Sequence, residues 1–452
     1  MTPRNLALAL VIAAPLSAVG IAWPQPSQPA PVPTPSPAPP PTPQPEPEPT
    51  PLPAVEPTPA PEPEAKLEPE AVPLDLDTTE SLADEPEPEA PMRPELNRNF
   101  AGSVQLDYMA VPTEERGRDL GLDGATVEAS LKLAMDFSSN ISANVKVCVA
   151  CHGFEVGMAF FDLRVADQLN IRVGRFSPAF GEFPLRHDPA NHRTSDKPLP
   201  YDMGRMLRMT EWNQGVLPAP WVENGIEING TQFAGDHVQI DYAAYAVGGP
   251  RAGADPMDFD FRASRSGDSY YIDNNSRPAV GGQAVVTVLA GGTSVALGGS
   301  MMRGTYDPEH KQRFAIYGAH AVLRARDVFL RVEYLRRMTT MALTDTPAER
   351  FRYGPGADGM YDPMFVKEGA YAELEVPLGR RVSAVVREDG LRRRGNVAMN
   401  STMRSDSAII RHTAGLAVLL RSSLRLKVSY EYYDFTDYSD ESTAHIGIAG
   451  PF

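Results

Sequence analysis

From residue 97 onward, apolar side chains recur at every second position, and this period fixes what the chain can become. In "TVEASLKLAMDF", Val127, Ala129, Leu131, Leu133, Met135 and Phe137 alternate with Thr126, Glu128, Ser130, Lys132 and Asp136. "LRLKVSYEYY" repeats the pattern, with Leu424, Leu426, Val428, Tyr430 and Tyr432 on one face. Arg425, Lys427, Ser429 and Glu431 occupy the other. Successive side chains of a strand point to opposite faces, so each segment has one apolar and one wet face. The predicted fold class is all-β.

Soluble sandwiches and a membrane barrel both satisfy alternation, and three features favour a transmembrane antiparallel β-barrel. First, the polar face carries full charges on strand after strand, as a water-filled lumen requires. Second, short turns near 138–140, 167–168, 235–236, 291–292, 326–327, 379–380 and 422–423 alternate with long polar loops. Those loops fall near 113–122, 177–219, 249–277, 341–365 and 393–407. Third, "HIGIAGPF" puts Phe452 in phase with Ile446 and Ile448, toward lipid. A terminal Phe on an amphipathic strand resembles the assembly signal of bacterial outer-membrane barrels, with Pro451 departing from the usual pattern.

Segment counting gives about sixteen strands, starting near 99, 124, 141, 156, 168, 221, 237, 279, 293, 312, 327, 366, 381, 408, 424 and 443. An even number returns both ends of the barrel to the periplasm, and this size is wide enough for an aqueous channel. The third strand is expected to stop near Val147 or Cys148 and the fourth to start at Val156. "VREDG" and "GLRRRG" read as loop charge.

Ahead of the barrel, residues 1–22 read as a secretory signal: Arg4, an apolar run over residues 6–14, then small residues. The run is too short to span a membrane and Pro15 interrupts it. Residues 23–96 hold more than half of the chain's 45 prolines, and their acidic residues face only Lys66 and Arg93. Such a Pro/Glu-rich segment buries too little apolar surface to order itself, and reads as an extended periplasmic linker, passive or bound to a periplasmic or cell-wall partner. Most of the formal charge of −16 lies here, which leaves residues 97–452 nearly neutral and excludes a nucleic-acid binder. The expected location is the outer membrane of a Gram-negative cell.

The fifth strand and the longest loop contain "VGRFSPAFGE", residues 173–182. This stretch resembles the Gly-Arg-Phe-x-Pro-x-Phe-Gly segment of phosphate-selective (OprP/OprO-like) porins. The resemblance implies a sixteen-stranded, homotrimeric porin with an inward loop and an anion-preferring constriction. Arg172, Arg175, Arg186, Arg193, Lys197, Arg205 and Arg208 are the basic residues placed to form it, since Arg and Lys rings lower the entry barrier for anions. Glu182, Asp188, Asp196, Asp202 and Glu211 lie among them, so an unselective mixed-charge pore is an equal alternative. No nucleophile–base pairing or phosphate loop stands out, so the expected role is non-enzymatic: passive diffusion of small hydrophilic solutes or of anions such as phosphate.

One motif stands apart. The only two cysteines, Cys148 and Cys151, precede His152 in "CVACH", the spacing for covalent haem c with histidine as axial iron ligand. A fully extended strand would hold the thiols roughly 10 Å apart on opposite faces, so capture requires a turn there. Haem c, with electron transfer at the outer membrane, stands beside a disulfide and unmodified thiols as readings of the motif. The channel reading needs no cofactor.

Overall fold

The computed structural model describes residues 97–110, 124–150, 153–202, 215–252, 259–261, 273, 275–421 and 423–452. Sixteen antiparallel strands close into one barrel. They are β1 (Asn97–Ala110), β2 (Gly124–Asp136), β3 (Ile141–Ala150), β4 (Gly153–Ala166), β5 (Leu169–Phe176), β6 (Glu223–Ala234), β7 (Val238–Val247) and β8 (Ala279–Ala290). The second half comprises β9 (Thr293–Thr305), β10 (Arg313–Ala325), β11 (Val328–Thr340), β12 (Met364–Pro377), β13 (Val382–Arg394), β14 (Asp406–Arg421), β15 (Leu424–Phe435) and β16 (Glu441–Pro451). Each strand pairs with the next, and β16 returns to β1 from Ser103↔Pro451 to Ala110↔Ala444. Closure gives every strand two neighbours and leaves no open edge.

The alternation sorts side chains as the sequence requires. Leu106, Val127, Phe161, Ile228, Leu297, Val386, Tyr430 and Ile446 face outward and are exposed. Gln105, Glu227, Glu333, Arg387 and Glu431 face inward and are buried. The outer wall is therefore an apolar belt. Phe452 completes the seam: its amide donates to the Gly102 carbonyl at 3.0 Å and its carbonyl accepts from Gly102 at 2.9 Å. Its ring covers Gly102 so closely that a Cβ there would stand 2.3 Å from Cζ.

Three expectations need correction. Strand β3 does not stop at Val147 or Cys148 but continues to Ala150, and β4 begins at Gly153, with Ala150↔Gly153 paired. Residues 386–390 and 392–394 are not loop material either. They lie within β13, because β12 and β14 offer partners along its whole length, out to Val366↔Arg394 and Arg394↔Asp406. Finally, the inner face is not polar throughout. Met302, Phe314, Ile316, Leu335 and Leu391 point inward and are buried against Phe176, Phe180, Phe183, Leu199 and Tyr201. Alternation breaks where a loop, rather than water, covers the wall.

An arginine on the apolar belt should cost about 2–4 kcal/mol near the bilayer midplane. Val428→Arg, in the middle of β15, is expected to lower the unfolding free energy in lipid vesicles by that amount, measured by urea titration. Lys132→Arg on the inner face should leave it unchanged.

Candidate channel constriction

Of the segment between β5 and β6, the described residues 177–202 and 215–222 turn into the barrel and are largely buried there. Two glycines of the "VGRFSPAFGE" stretch make the entry. Gly174 has φ +133° and Gly181 φ +71°. A Cβ on Gly174 would meet the Ala159 carbonyl at 2.4 Å, and one on Gly181 would meet Tyr201 Oη at 2.0 Å. Both positions exclude a side chain. Short 3₁₀ turns at Phe183–Arg186 and Leu199–Tyr201 then shape the loop.

Wall carboxylates seat the loop by its backbone. Glu333 on β11 accepts from the amides of Glu182 at 2.9 Å and Phe183 at 3.4 Å. It also accepts from the hydroxyls of Tyr201 at 2.6 Å and Tyr371 at 3.0 Å. Asp389 on β13 accepts from the Leu199 amide at 3.0 Å, and its second partner is Arg411 on β14, at 2.5 and 2.8 Å. Arg411 donates onward to the Lys197 carbonyl at 2.6 Å, and Arg387 to Thr194 Oγ1 at 2.8 Å. Lys427 on β15 reaches the carbonyls of Pro189 and Thr194 at 2.5 and 3.2 Å. Arg387, Asp389 and Arg411 persist at this depth because they are ion-paired with one another as well as hydrogen-bonded, whereas Glu333 and Lys427 are held by hydrogen bonds.

Among the described residues, each predicted basic side chain meets a carboxylate or a backbone carbonyl instead of standing in an open ring. Arg172 pairs with Asp162 at 2.9 Å and Glu227 at 3.5 Å, and Arg175 donates to the Val156 carbonyl at 3.0 Å. Arg186 pairs with Glu182 at 2.9 Å and Glu373 at 3.3 Å, Arg193 with Glu375 at 2.7 Å, and Lys197 donates to the Ala219 carbonyl at 3.0 Å. Arg205 and Arg208 lie outside the described residues. In several pairs the cation protrudes further than its carboxylate. Lys132 is 45% exposed against 9% for Asp188, and Arg193 is 24% exposed against 8% for Glu375. At the short-turn end, a vestibule of about 740 Å³ opens between residues including Asp136, Asn140, Asp162, Arg164 and Asn229.

A second seat lies on β2 and β3. Asp188 binds Lys132 and Lys146, both at 2.5 Å. His187 Nδ1 donates to the Pro184 carbonyl at 2.6 Å, which leaves Nε2 to accept from Lys146 Nζ at 2.9 Å. Burial and the Lys146 charge hold the His187 pKa down at about 3. Burial alone would raise the Asp188 carboxyl, but His187, Lys146 and Lys132 outweigh it and hold it below the usual carboxylate range.

Cys148 also sits on β3, beside Gly157 and opposite Glu155 across the hairpin. Cys151 and His152 lie outside the described residues, and the readings of the motif turn on them. The sequence reading missed Glu333, Arg387, Asp389, Arg411 and His445. Their signal was parity: each shares a strand face with other polar residues, in phase with the lumen.

No protein-family model matches the sequence, and no curated protein matches it. Among solved structures, the chain is similar to the anion-selective porin of Comamonas acidovorans, with 12% identity and a TM-score of 0.49 over 79% of this chain and 100% of that one. It is also similar to Salmonella typhi OmpF, with 12% identity and a TM-score of 0.47 over 78% and 97% of the two chains. The outer-membrane channel DcaP of Acinetobacter baumannii gives 10% identity and a TM-score of 0.47 over 79% and 97%.

Two outcomes follow from the loop seats. Arg411→Ala strands Asp389 and Glu431 with less compensation and should cost about 3–5 kcal/mol in denaturant unfolding. Acid should loosen the loop as well. Below about pH 6.5 the unfolded chain takes up the proton that seated His187 refuses, so stability falls with pH toward 3, with Asp188 adding to the loss below about pH 4. Thermal unfolding followed against pH should flatten between 6.5 and 4 in His187→Gln.

Proposed function

We propose that the chain is an outer-membrane porin, a water-filled channel for passive diffusion of small hydrophilic solutes. One observation carries this reading: the same closed strands expose apolar side chains outward and charge inward, around a loop folded into the lumen. Irregular backbone at membrane depth is tolerated where it lies within the protein or lines a cavity, as this loop does. The apolar belt is the surface that acyl chains cover, and the proline-rich residues 23–96 are assigned to the periplasm. The working unit is a homotrimer.

The preferred solutes are small anions, inorganic phosphate among them. The protruding ends of Lys132, Arg172 and Arg193 support this, as does the resemblance of "VGRFSPAFGE" to phosphate-selective porins. Lys132, Arg172 and Arg193 each have a carboxylate within reach, so the preference is mild. Lumenal charge replaces part of the solute's hydration, and the loop sets the size limit.

Planar-bilayer recording in a salt gradient tests the reading. The wild type should conduct, with a reversal potential of anion sign, and Lys132→Glu with Arg193→Glu should move it toward cations. A bilayer that stays silent with correctly folded protein overturns the channel. A cation-signed potential in the wild type overturns the anion preference alone.

A further inference from the structure

The loop is held to β15 and β16 by a group that the channel does not require. Asp196 from the loop, Glu431 from β15 and His445 from β16 bring one ligand atom each within 4.8 Å of one another, all buried. His445 Nε2 lies 3.3 Å from Asp196 Oδ2 and 3.8 Å from Glu431 Oε2. Its other nitrogen, Nδ1, meets Asp107 Oδ2 on β1 at 3.0 Å. Carboxylates on both sides favour a proton on each nitrogen of the unloaded His445; a metal ion would displace the one on Nε2, while Asp107 keeps the other on Nδ1 and holds the ring in place. Three electron-rich atoms then face one point with no water access.

From this geometry we infer that Asp196, Glu431 and His445 bind a divalent transition-metal ion of the Zn²⁺ class, oriented by Asp107. Ligand atoms about 2.0–2.2 Å from a tetrahedral ion stand roughly 3.4 Å apart, close to the 3.3 and 3.8 Å from His445 Nε2 to the two carboxylates. One imidazole and two carboxylates suit Zn²⁺, whereas Ca²⁺ and Mg²⁺ take all-oxygen sets. The side chains of His445 and Glu431 are 0% exposed, and neither His445 Nε2 nor Glu431 Oε1 has a hydrogen-bond partner. Two guanidiniums oppose a cation here: Arg411, at 3.2 Å from Glu431 and 3.9 Å from Asp196, and Arg387, at 3.8 Å from Glu431. Tyr433 also donates to Glu431 Oε2 at 2.6 Å. Against them stand the further carboxylates Asp389, 2.5 Å from Arg411, and Glu373, 3.5 Å from Arg387. Bound there, the ion pins the inward loop to the seam side of the barrel. Nothing in this depends on which solute the channel carries.

The full chain, purified in detergent and stripped with chelator, should take up about one Zn²⁺ per chain at this site, read by elemental analysis and titration calorimetry. His445→Ala and Glu431→Gln should each lose at least about tenfold in affinity, and Asp107→Asn about 10–100-fold. Co²⁺ in place of Zn²⁺ should give visible d–d absorption that vanishes in Glu431→Gln. That variant, near-isosteric, carries the comparison if His445→Ala fails to fold. Uptake no higher in the wild type than in the variants means adventitious binding only and overturns the site, as does no uptake. Conductance of the same samples reports separately on the channel.

Discussion

Backbone hydrogen bonding is the constraint from which the rest of the structure follows. A strand with an apolar outer face has no water on that side to satisfy a bare peptide edge, so it must find a partner on each side. Sixteen strands satisfy this by pairing in sequence order and closing β16 onto β1. Once closed, the sheet has an inside and an outside, and alternation assigns every side chain to one of them. The seam shows how finely this is fitted, since Phe452 lies over a glycine at which any side chain would collide.

The interior solves a second problem, how to hold an irregular loop without regular secondary structure. Its turn amides end on Glu333 and Asp389, and its carbonyls take donors from Arg411 and Lys427. Burying ions is expensive, and replacing such a network by apolar groups is often neutral or stabilising. What the network supplies is position: each contact is directional and reaches a named backbone atom. Apolar contacts through Phe180, Phe183, Leu199 and Tyr201 provide the cohesion.

Much of this was legible in the sequence. Alternation located the strands to within a few residues, turn residues located the short connections, and the longest loop was expected inside. Failures occurred where period two was locally ambiguous. In "VREDG" charge dominates the composition, yet Arg387 and Asp389 hold the inward phase of Val385 and Leu391 along β13. In "KVCVACHGFE" the expected turn was placed too early, because the haem-like spacing argued for compact backbone while the register keeps Cys148 paired. The constriction was the least legible part. A list of basic residues in a loop does not say which carboxylates the far wall will present, and Glu375 is 182 residues away from the Arg193 it meets.

The inward loop leaves the wall between β5 and β6 yet fastens to β11, β13, β14 and β15, so it crosses the barrel as a strut crosses a hoop. A hoop braced in this way resists becoming oval. Glu333 and Asp389, which join loop to wall, are the contacts through which a squeeze on the rim would reach the interior. In the proposed outer-membrane channel, this brace would couple the aperture to the mechanics of the surrounding membrane.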